Sequence, residues 1–181
     1  MIDNVDFSKS TLRLLVYQAL KFYSLDSLHS LINDSNAIVR SAVARELQVR
    51  GDESTFDFLL SLVNDPRKSA REICAFALGQ LGTPNYPFRE KTLPLLASLA
   101  QDLSFEVRSA AISGLGHLRA NECIDILVTA ADDVSAVVRA SAAAALGNVA
   151  SDSVVLNALN NLLLDEDRSV REWAELSLDN F

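Results

Sequence analysis

The chain contains five copies of one short pattern, and this repetition restricts it to an array of similar structural units. Each copy has an arginine, an aspartate six residues before it and a leucine seven residues after it. The arginines are Arg40, Arg71, Arg108, Arg139 and Arg171; the aspartates are Asp34, Asp65, Asp102, Asp133 and Asp165; the leucines are Leu47, Leu78, Leu115, Leu146 and Leu178. Three positions held across five copies are hard to produce by chance in a chain of this composition.

Each copy has the pattern of two helices, which we call A and B in chain order. Helix B carries apolar residues one before its arginine and three, seven and ten after it, a single stripe at the helical period. Helix A has its own apolar series and ends at the aspartate. We therefore predict an all-α fold, a right-handed α-solenoid of about five helix pairs forming one domain over 1–181. The expected units are an N-terminal capping helix in 1–23 and repeats at 24–50, 51–82, 83–118, 119–149 and 150–181.

Two local features qualify this pattern. Glycines at 79, 82, 116 and 147 fall near the ends of B helices, where we expect them to act as C-caps.

The arginine spacings are 31, 37, 31 and 32 residues, so the second spacing contains extra residues, which we assign to an insertion at 82–91. Insertions in repeat arrays often line a binding face, which makes Tyr86 and Phe88 candidate partner contacts. The alternative is an insertion that a loop simply tolerates.

Composition excludes several functional classes. There are 24 acidic and 16 basic residues, a formal charge of -8, which argues against a nucleic-acid clamp or a polybasic membrane binder. Cys74 and Cys123 stand far apart without a CxxC partner, so neither a disulfide framework nor a zinc site is indicated. Charged residues interrupt every stretch long enough to span a bilayer. We expect a cytoplasmic protein with neither nucleic-acid nor membrane partners.

The helix pairs, with an aspartate closing A and an arginine six residues later in B, resemble HEAT repeats of the short kind also found in phycobilisome-lyase subunits. The resemblance covers 24–181. It implies that the aspartates and arginines above link successive repeats into a ladder of hydrogen bonds and ion pairs. Such a role is physically reasonable, because a guanidinium group binds a carboxylate through two parallel hydrogen bonds. The repeat is shorter than the 40 to 47 residues of long HEAT units.

A more specific resemblance lies in the segments SAVARELQVRGDE, REICAFALGQLG and DEDRSVREWAELSLDNF. Together they resemble the HEAT-repeat immunity proteins associated with Rhs-type polymorphic toxins. The resemblance implies neutralisation of a cognate toxin by binding, and the acidic balance suits a basic toxin domain. The alternatives are a scaffold or assembly factor and a phycobilin-lyase-like subunit.

The sequence offers little for catalysis. His29 and His117 are the only histidines, and neither HExxH, a P-loop nor GxGxxG is present. We therefore expect a non-enzymatic chain without cofactor or metal, acting through the concave surface of its stacked B helices. B-helix positions one, five and nine after the arginine lie away from the core stripe. The candidate partner contacts there and in the last helix are Arg45, Glu72, Phe76, Gln80, His117 and Trp173.

The C-terminal end is expected to be apolar. Trp173, Leu176 and Phe181 follow the last arginine, and no further repeat covers them in this sequence. An uncovered apolar edge of a repeat array promotes association. We therefore expect weak self-association through this edge; the alternative is that Trp173 folds into the final helix pair.

Overall fold

A computed structural model describes residues 9–150 and 152–181, so that part of the expected N-terminal cap, 1–8, lies outside the described residues. The described residues contain eleven α-helices, one 3₁₀ turn and no strand. The helices are α1 (Lys9–Leu20), α2 (Leu25–Leu31), α3 (Ala37–Arg50), α4 (Glu53–Leu62), α5 (Lys68–Gln80), α6 (Arg89–Leu99), α7 (Phe105–His117), α8 (Ile124–Ala130), α9 (Ala136–Leu146), α10 (Ser153–Leu162) and α11 (Arg168–Leu178), with the 3₁₀ turn Asn121–Cys123 before α8.

The helices form two layers. The B helices α3, α5, α7, α9 and α11 stack in that order, and each packs against its own A helix from α2, α4, α6, α8 and α10. Helix α1 packs on α3, in the place that a preceding B helix would take. This arrangement confirms the predicted all-α solenoid, and each range expected for a repeat contains one A and one B helix.

The core lies between the two layers. Residues three positions after each ladder arginine are all fully buried: Val43, Cys74, Ala111, Ala142 and Ala174. The leucines seven positions after the arginine are buried in repeats one to four, where another repeat follows. Helix A supplies the facing leucines, including Leu28, Leu59, Leu96, Leu127 and Leu159. The apolar stripe of each B helix thus packs against leucines of the A-helix layer. Burial of these side chains is the main contribution to the stability of the fold.

Three of the four glycines near the B-helix ends have a different role from the one predicted. Gly82 has the left-handed φ of 69° expected of a C-cap, whereas Gly147 has φ -68° and Gly79 and Gly116 lie inside helices. These three glycines allow close contact between neighbouring B helices. A Cβ atom at Gly116 would lie 2.7 Å from Cα of Ala145, and one at Gly79 would collide with the backbone of α7.

Candidate protein-binding groove

The arginines and aspartates of the repeat connect one repeat to the next. Arg71 donates from Nε and Nη2 to both carboxylate oxygens of Asp102, at 2.6 and 2.9 Å. We call such a pair a rung. The same bidentate contact joins Arg108 to Asp133 and Arg139 to Asp165 at 2.6 to 2.9 Å. Each arginine therefore binds the aspartate of the following repeat.

The same arginines also hold their own turn in place. The third guanidinium nitrogen, Nη1, donates to the backbone carbonyl of the aspartate six residues earlier in all five repeats, at 2.6 to 3.0 Å. Every ladder aspartate accepts a hydrogen bond from the backbone N–H two residues later, at 2.7 to 2.8 Å. Hydrogen bonds from Arg71 and Arg139 lower the pKa of Asp102 and Asp165, respectively, so both carboxylates stay ionised.

The ladder lacks a rung between the first two repeats. Asp65 is bound instead within its own turn by Arg67, whose Nε and Nη2 donate to its two oxygens at 2.8 and 2.7 Å. Arg40 donates through Nη1 to the carbonyls of Asp34 and Ser35 and has no ion pair among the described residues. The implied ladder therefore comprises three rungs, and Arg40 and Asp65 do not join the first repeat to the second.

The ends of the array also carry no rung. Asp34 lies before the first ladder arginine, and its Oδ1 accepts the backbone N–H of Asn36. Arg171 lies after the last ladder aspartate and donates to the backbone carbonyls of Asp165 and Glu166, at 2.6 and 2.9 Å. Since a rung needs a following repeat, these terminal residues support only their own turns.

The outer face of the B helices forms a groove, lined by three adjoining clefts. The largest, of about 640 Å³, lies between α7, α9 and α11. Clefts of about 290 and 400 Å³ adjoin it toward the N-terminal end, between α3, α5 and α7. Five of the candidate contacts line these clefts: Glu72, Phe76, Gln80, His117 and Trp173.

Phe76 forms the centre of the N-terminal half of the groove. Its side chain is 40% exposed and lines both smaller clefts together with Glu72. Partial burial and the nearby carboxylate of Glu106 raise the pKa of Glu72. Glu106 is itself paired with Lys68 at 2.6 Å, and this contact lowers the pKa of Glu106 to about 2. This half of the groove thus presents an exposed aromatic ring beside a carboxylate that has no ion pair among the described residues.

Trp173 forms a wall of the large cleft. It is 46% exposed and faces back over α9, whose groove residues Ala140 and Ala144 are small. His117 of α7 lies on the opposite side of the same cleft. The side chain therefore neither folds into the final helix pair nor lies on the terminal edge; it is a groove residue.

Arg45 differs from the other groove candidates. Its guanidinium carbon lies 4.7 Å from the centre of the Tyr17 ring, a cation–π contact with α1. Arg45 is exposed but outside the three clefts, and its position is explained by attachment of the capping helix.

Two groove residues were missed by reading only positions one, five and nine. Phe105 and Val137 are exposed and line the clefts from the first turns of α7 and α9. Phe105 lies one helical turn before Ser109, so the 3.6-residue period places both on one face. Extending the positional pattern of helix B by one turn toward its N-terminus identifies Phe105 as a groove residue.

The 82–91 segment packs inside the molecule. Phe88 is half-buried and stacks on Phe56 of α4, with ring centres 4.8 Å apart and planes 17° from parallel. Tyr86 is half-buried against the core at φ 45°. Neither residue lines the three clefts of the groove. The structure thus places both expected partner contacts in intramolecular packing, because their apolar rings fill the space beside α4.

The C-terminal edge is more polar than predicted. Residues four and eight positions after the ladder arginine face the next repeat, and in the last repeat they are Glu175 and Asp179, both exposed. The fourth position is buried and apolar in the four preceding repeats: Ala44, Ala75, Ile112 and Ala143. Leu176 and Phe181 remain 56% and 48% exposed. The edge thus carries two carboxylates beside two exposed apolar side chains. The carboxylates oppose burial against another chain, and self-association through this edge stays a prediction.

The described residues contain no group of three or more histidine, cysteine or acidic side chains placed to hold a metal ion. The Cys74 thiol donates to the carbonyl of Leu59 at 3.1 Å, and burial raises its pKa to about 12. A thiol held in its protonated form is a poor nucleophile.

Over the described ranges, no helix combines the length and apolar character needed to cross a bilayer.

Comparison with known proteins places the chain among repeat proteins. A family model described as HEAT repeats matches residues 25–102 and 92–179. Protein YibA of Escherichia coli (strain K12) is 28% identical over 174 residues, covering 91% of this chain and 60% of YibA. The X-ray structure of YibA superposes with a TM-score of 0.82 at 27% identity, over 95% of this chain and 63% of that chain. The chain thus spans about three fifths of the length of this relative.

Two more distant structures share the fold. A chain from the complex of CpcE and CpcF of phycocyanin lyase from Nostoc sp. PCC7120 gives a TM-score of 0.70 at 20% identity, covering 85% of this chain and 97% of that one. A designed armadillo repeat protein in complex with the peptide (KR)4 gives a TM-score of 0.59 at 16% identity, covering 95% of this chain and 92% of that one. Since the HEAT-repeat model covers almost every described helix pair, the chain belongs to the HEAT-repeat family.

Proposed function

We propose that this chain is a non-enzymatic protein-binding module that receives its partner in the groove of the B helices. The supporting observation is the pair of exposed aromatic side chains, Phe76 and Trp173, in adjoining clefts. Aromatic residues are the commonest anchors of protein interfaces, because a large rigid ring buries much area at little cost in conformational entropy.

The surface between the two rings suits a polypeptide. Ala140, Ala144 and Ser113 leave the floor of the large cleft shallow and mostly apolar, while Asn148 and Asn180 border it with amides. Protein interfaces commonly combine an apolar centre with a polar rim in this way. The clefts are open troughs along several helices, so an extended or helical segment of a partner can contact several repeats at once.

The finer proposal is that the partner is a bacterial toxin domain and that this chain is its immunity protein. This proposal rests on the resemblance of three of its segments to immunity proteins of Rhs-type toxins. The formal charge of -8 and the groove carboxylate of Glu72, which forms no ion pair within the part of the chain that the structure describes, support a basic partner. Neutralisation would then follow from occupying the toxin surface, with no chemical step by this chain.

Under this proposal a neighbouring gene is expected to encode a toxin domain, and the test is co-expression of that domain with this chain. Growth rescue and a stable complex are expected for the native chain, and Phe76→Ala and Trp173→Ala are each expected to weaken binding about tenfold or more. Leu164→Ala is the matched control, because Leu164 is 86% exposed and lies outside the three clefts. Rescue unaffected by both aromatic substitutions would reject the groove as the binding surface, and absence of both binding and rescue would reject the immunity role.

Two other functions predict different outcomes of the same experiment. A scaffold or assembly factor would bind its partner through the groove without blocking the partner's activity. A phycobilin-lyase-like role is favoured by the structural similarity to the CpcE and CpcF complex, which extends over 97% of the matched chain. That role predicts genes for pigment proteins beside this one and association with a second subunit. Phycobilin attachment to a pigment protein, assayed with and without this chain, tests it directly.

A further inference from the structure

The junction between α3 and α5 differs from the later junctions in its ion pair. In the next three junctions, the guanidinium of repeat n uses Nε and Nη2 to bind the aspartate of repeat n+1. Arg40 is oriented in the same way, because its Nη1 donates to the carbonyl of Asp34 at 2.7 Å. Its Nε and Nη2 nevertheless form no ion pair among the described residues, and the carboxylate on which its charge acts is Glu72, not Asp65. Arg40 therefore keeps the geometry of a rung without the acidic partner.

The cause is a single residue. The position two after the ladder aspartate is Asn36, Arg67, Ser104, Ser135 or Asp167 in the five repeats, so only the second repeat has a cation there. Arg67 uses this position to bind both oxygens of Asp65, and its hydrogen bonds lower the pKa of Asp65 to about 2. A local partner two residues away occupies the carboxylate that the arginine of the preceding repeat would otherwise bind.

Helix packing at this junction differs independently of the ion pair. The residue eight positions after the ladder arginine contacts the next B helix and is Gly79, Gly116 or Gly147 at the later junctions. At the first junction it is Gln48. At this junction the close approach is made by Gly51 and Gly82 instead, and the N–H of Gly82 donates to the carbonyl of Gln48 at 3.3 Å. The packing of α3 on α5 is nevertheless less extensive than the packing of α7 on α5. Besides the missing rung, the first junction therefore has less extensive helix packing, and its side-chain links are hydrogen bonds of Asn33 with Ser69 and Arg67 of the second repeat.

We propose that Arg40 and Asp65 form a latent rung, which Arg67 blocks by binding Asp65, so that the first repeat is joined to the second more weakly than the later repeats are joined to one another. The junction lies under the smallest cleft, whose walls are Arg40, Ser41 and Ala44 on one side and Glu72 and Phe76 on the other. The inference concerns the chain alone and does not depend on the identity of a partner.

Removal of Arg67 tests the latent rung. In Arg67→Ala, Asp65 is free to bind Arg40, and amide hydrogen exchange of residues 37–50 should slow by about two- to fivefold, equivalent to about 0.4 to 1 kcal/mol. Arg40→Ala provides the control background, because no rung can then form. The loss of the hydrogen bonds between Arg67 and Asn33 acts in both backgrounds, so slowing of exchange is expected only where Arg40 is present. Equal slowing in both backgrounds, or none in either, would overturn the proposal.

The reciprocal substitution transfers the competitor to an intact junction. Ser135 precedes α9 and makes no side-chain cap hydrogen bond, so Ser135→Arg removes no existing contact of that side chain with the helix. The new arginine should capture Asp133 from Arg108 and speed exchange in α9 by a similar factor. Unchanged exchange in α9 would show that a cation at this position does not control rung formation, which would also overturn the proposal.

Discussion

Replacement of Arg108 by alanine is expected to destabilise the chain far more than the same change at Arg171. Arg108 and Asp133 are only 15% and 13% exposed, and two charge-assisted hydrogen bonds of 2.7 and 2.8 Å join them. Its remaining nitrogen donates to the carbonyls of Asp102 and Leu103. Arg171 makes the corresponding carbonyl contacts but has no carboxylate of a following repeat to bind. The difference between the two variants therefore isolates the rung.

The magnitude follows from these contacts. A hydrogen bond to a charged group contributes about 1.5 kcal/mol or more, and breaking a buried ion pair by removing one partner costs about 3 to 5 kcal/mol. Because the pair retains some exposure and Asp133 keeps its bond from the backbone of Ser135, we expect the lower part of this range. Arg108→Ala should lower the free energy of unfolding by about 3 to 4 kcal/mol. Arg171→Ala should lower it by about 1 kcal/mol, because its carbonyl partners lie in its own turn, where water can replace the lost hydrogen bonds.

Urea denaturation followed by circular dichroism measures both free energies of unfolding, provided that they fall with urea concentration at the same rate in the two variants. In thermal unfolding, a difference of about 2 to 3 kcal/mol corresponds to roughly 4 to 12 °C in a chain of this size. The double variant Arg108→Ala with Asp133→Ala should recover part of the loss, since no unpaired carboxylate remains. Free energies of unfolding within about 0.5 kcal/mol of each other for the two single variants would refute the argument.

Three further outcomes are expected. Gly79→Ala should lower the unfolding free energy by about 1 to 3 kcal/mol, because its Cβ meets the backbone of α7, and an unchanged melting temperature would contradict this. Ion pairing lowers the pKa of Asp65 and Glu106 to about 2, so the stability they contribute is present above about pH 4.5 and is lost as the pH falls toward 2; urea midpoints that stay constant down to pH 2.5 would disagree. Glu175→Ala with Asp179→Gly should strengthen concentration-dependent association relative to the native chain in sedimentation experiments, because no carboxylate then borders the exposed Leu176, and unchanged association would contradict this.

Much of the fold could be predicted because the information is periodic. The stripe in helix B, the terminal aspartate of helix A and the leucine of each repeat are read directly from spacing, and together they define helix pairs and their order. The C-cap prediction for three of the four glycines near the B-helix ends was wrong for a physical reason. A glycine near a helix end serves equally well as a C-cap or as a contact point between helices, and only the neighbouring helix distinguishes the two.

The candidate site was less accessible from sequence. The exposed positions of the B helices indicated Phe76 correctly as a groove residue, because its exposure follows from helical geometry. Tyr86 and Phe88 were misplaced, since composition alone cannot tell whether an aromatic ring in an insertion points to solvent or packs on Phe56. The missing rung also escaped notice. Its cause, Arg67, acts through competition for one carboxylate, whereas the repeat pattern records only that Arg40 and Asp65 are both present.

The offset of the ion pairs by one repeat has a consequence for how such arrays change length. Each intact unit brings an arginine that binds forward and an aspartate that is bound from behind, so a duplicated unit inserted between two others would find both partners already in place. Whole repeats can then be gained or lost without compensating substitutions at the new boundaries. The one further condition is a small residue eight positions after the ladder arginine, where neighbouring B helices touch. The greater length of YibA, of which this chain spans about three fifths, is compatible with an architecture that tolerates such additions.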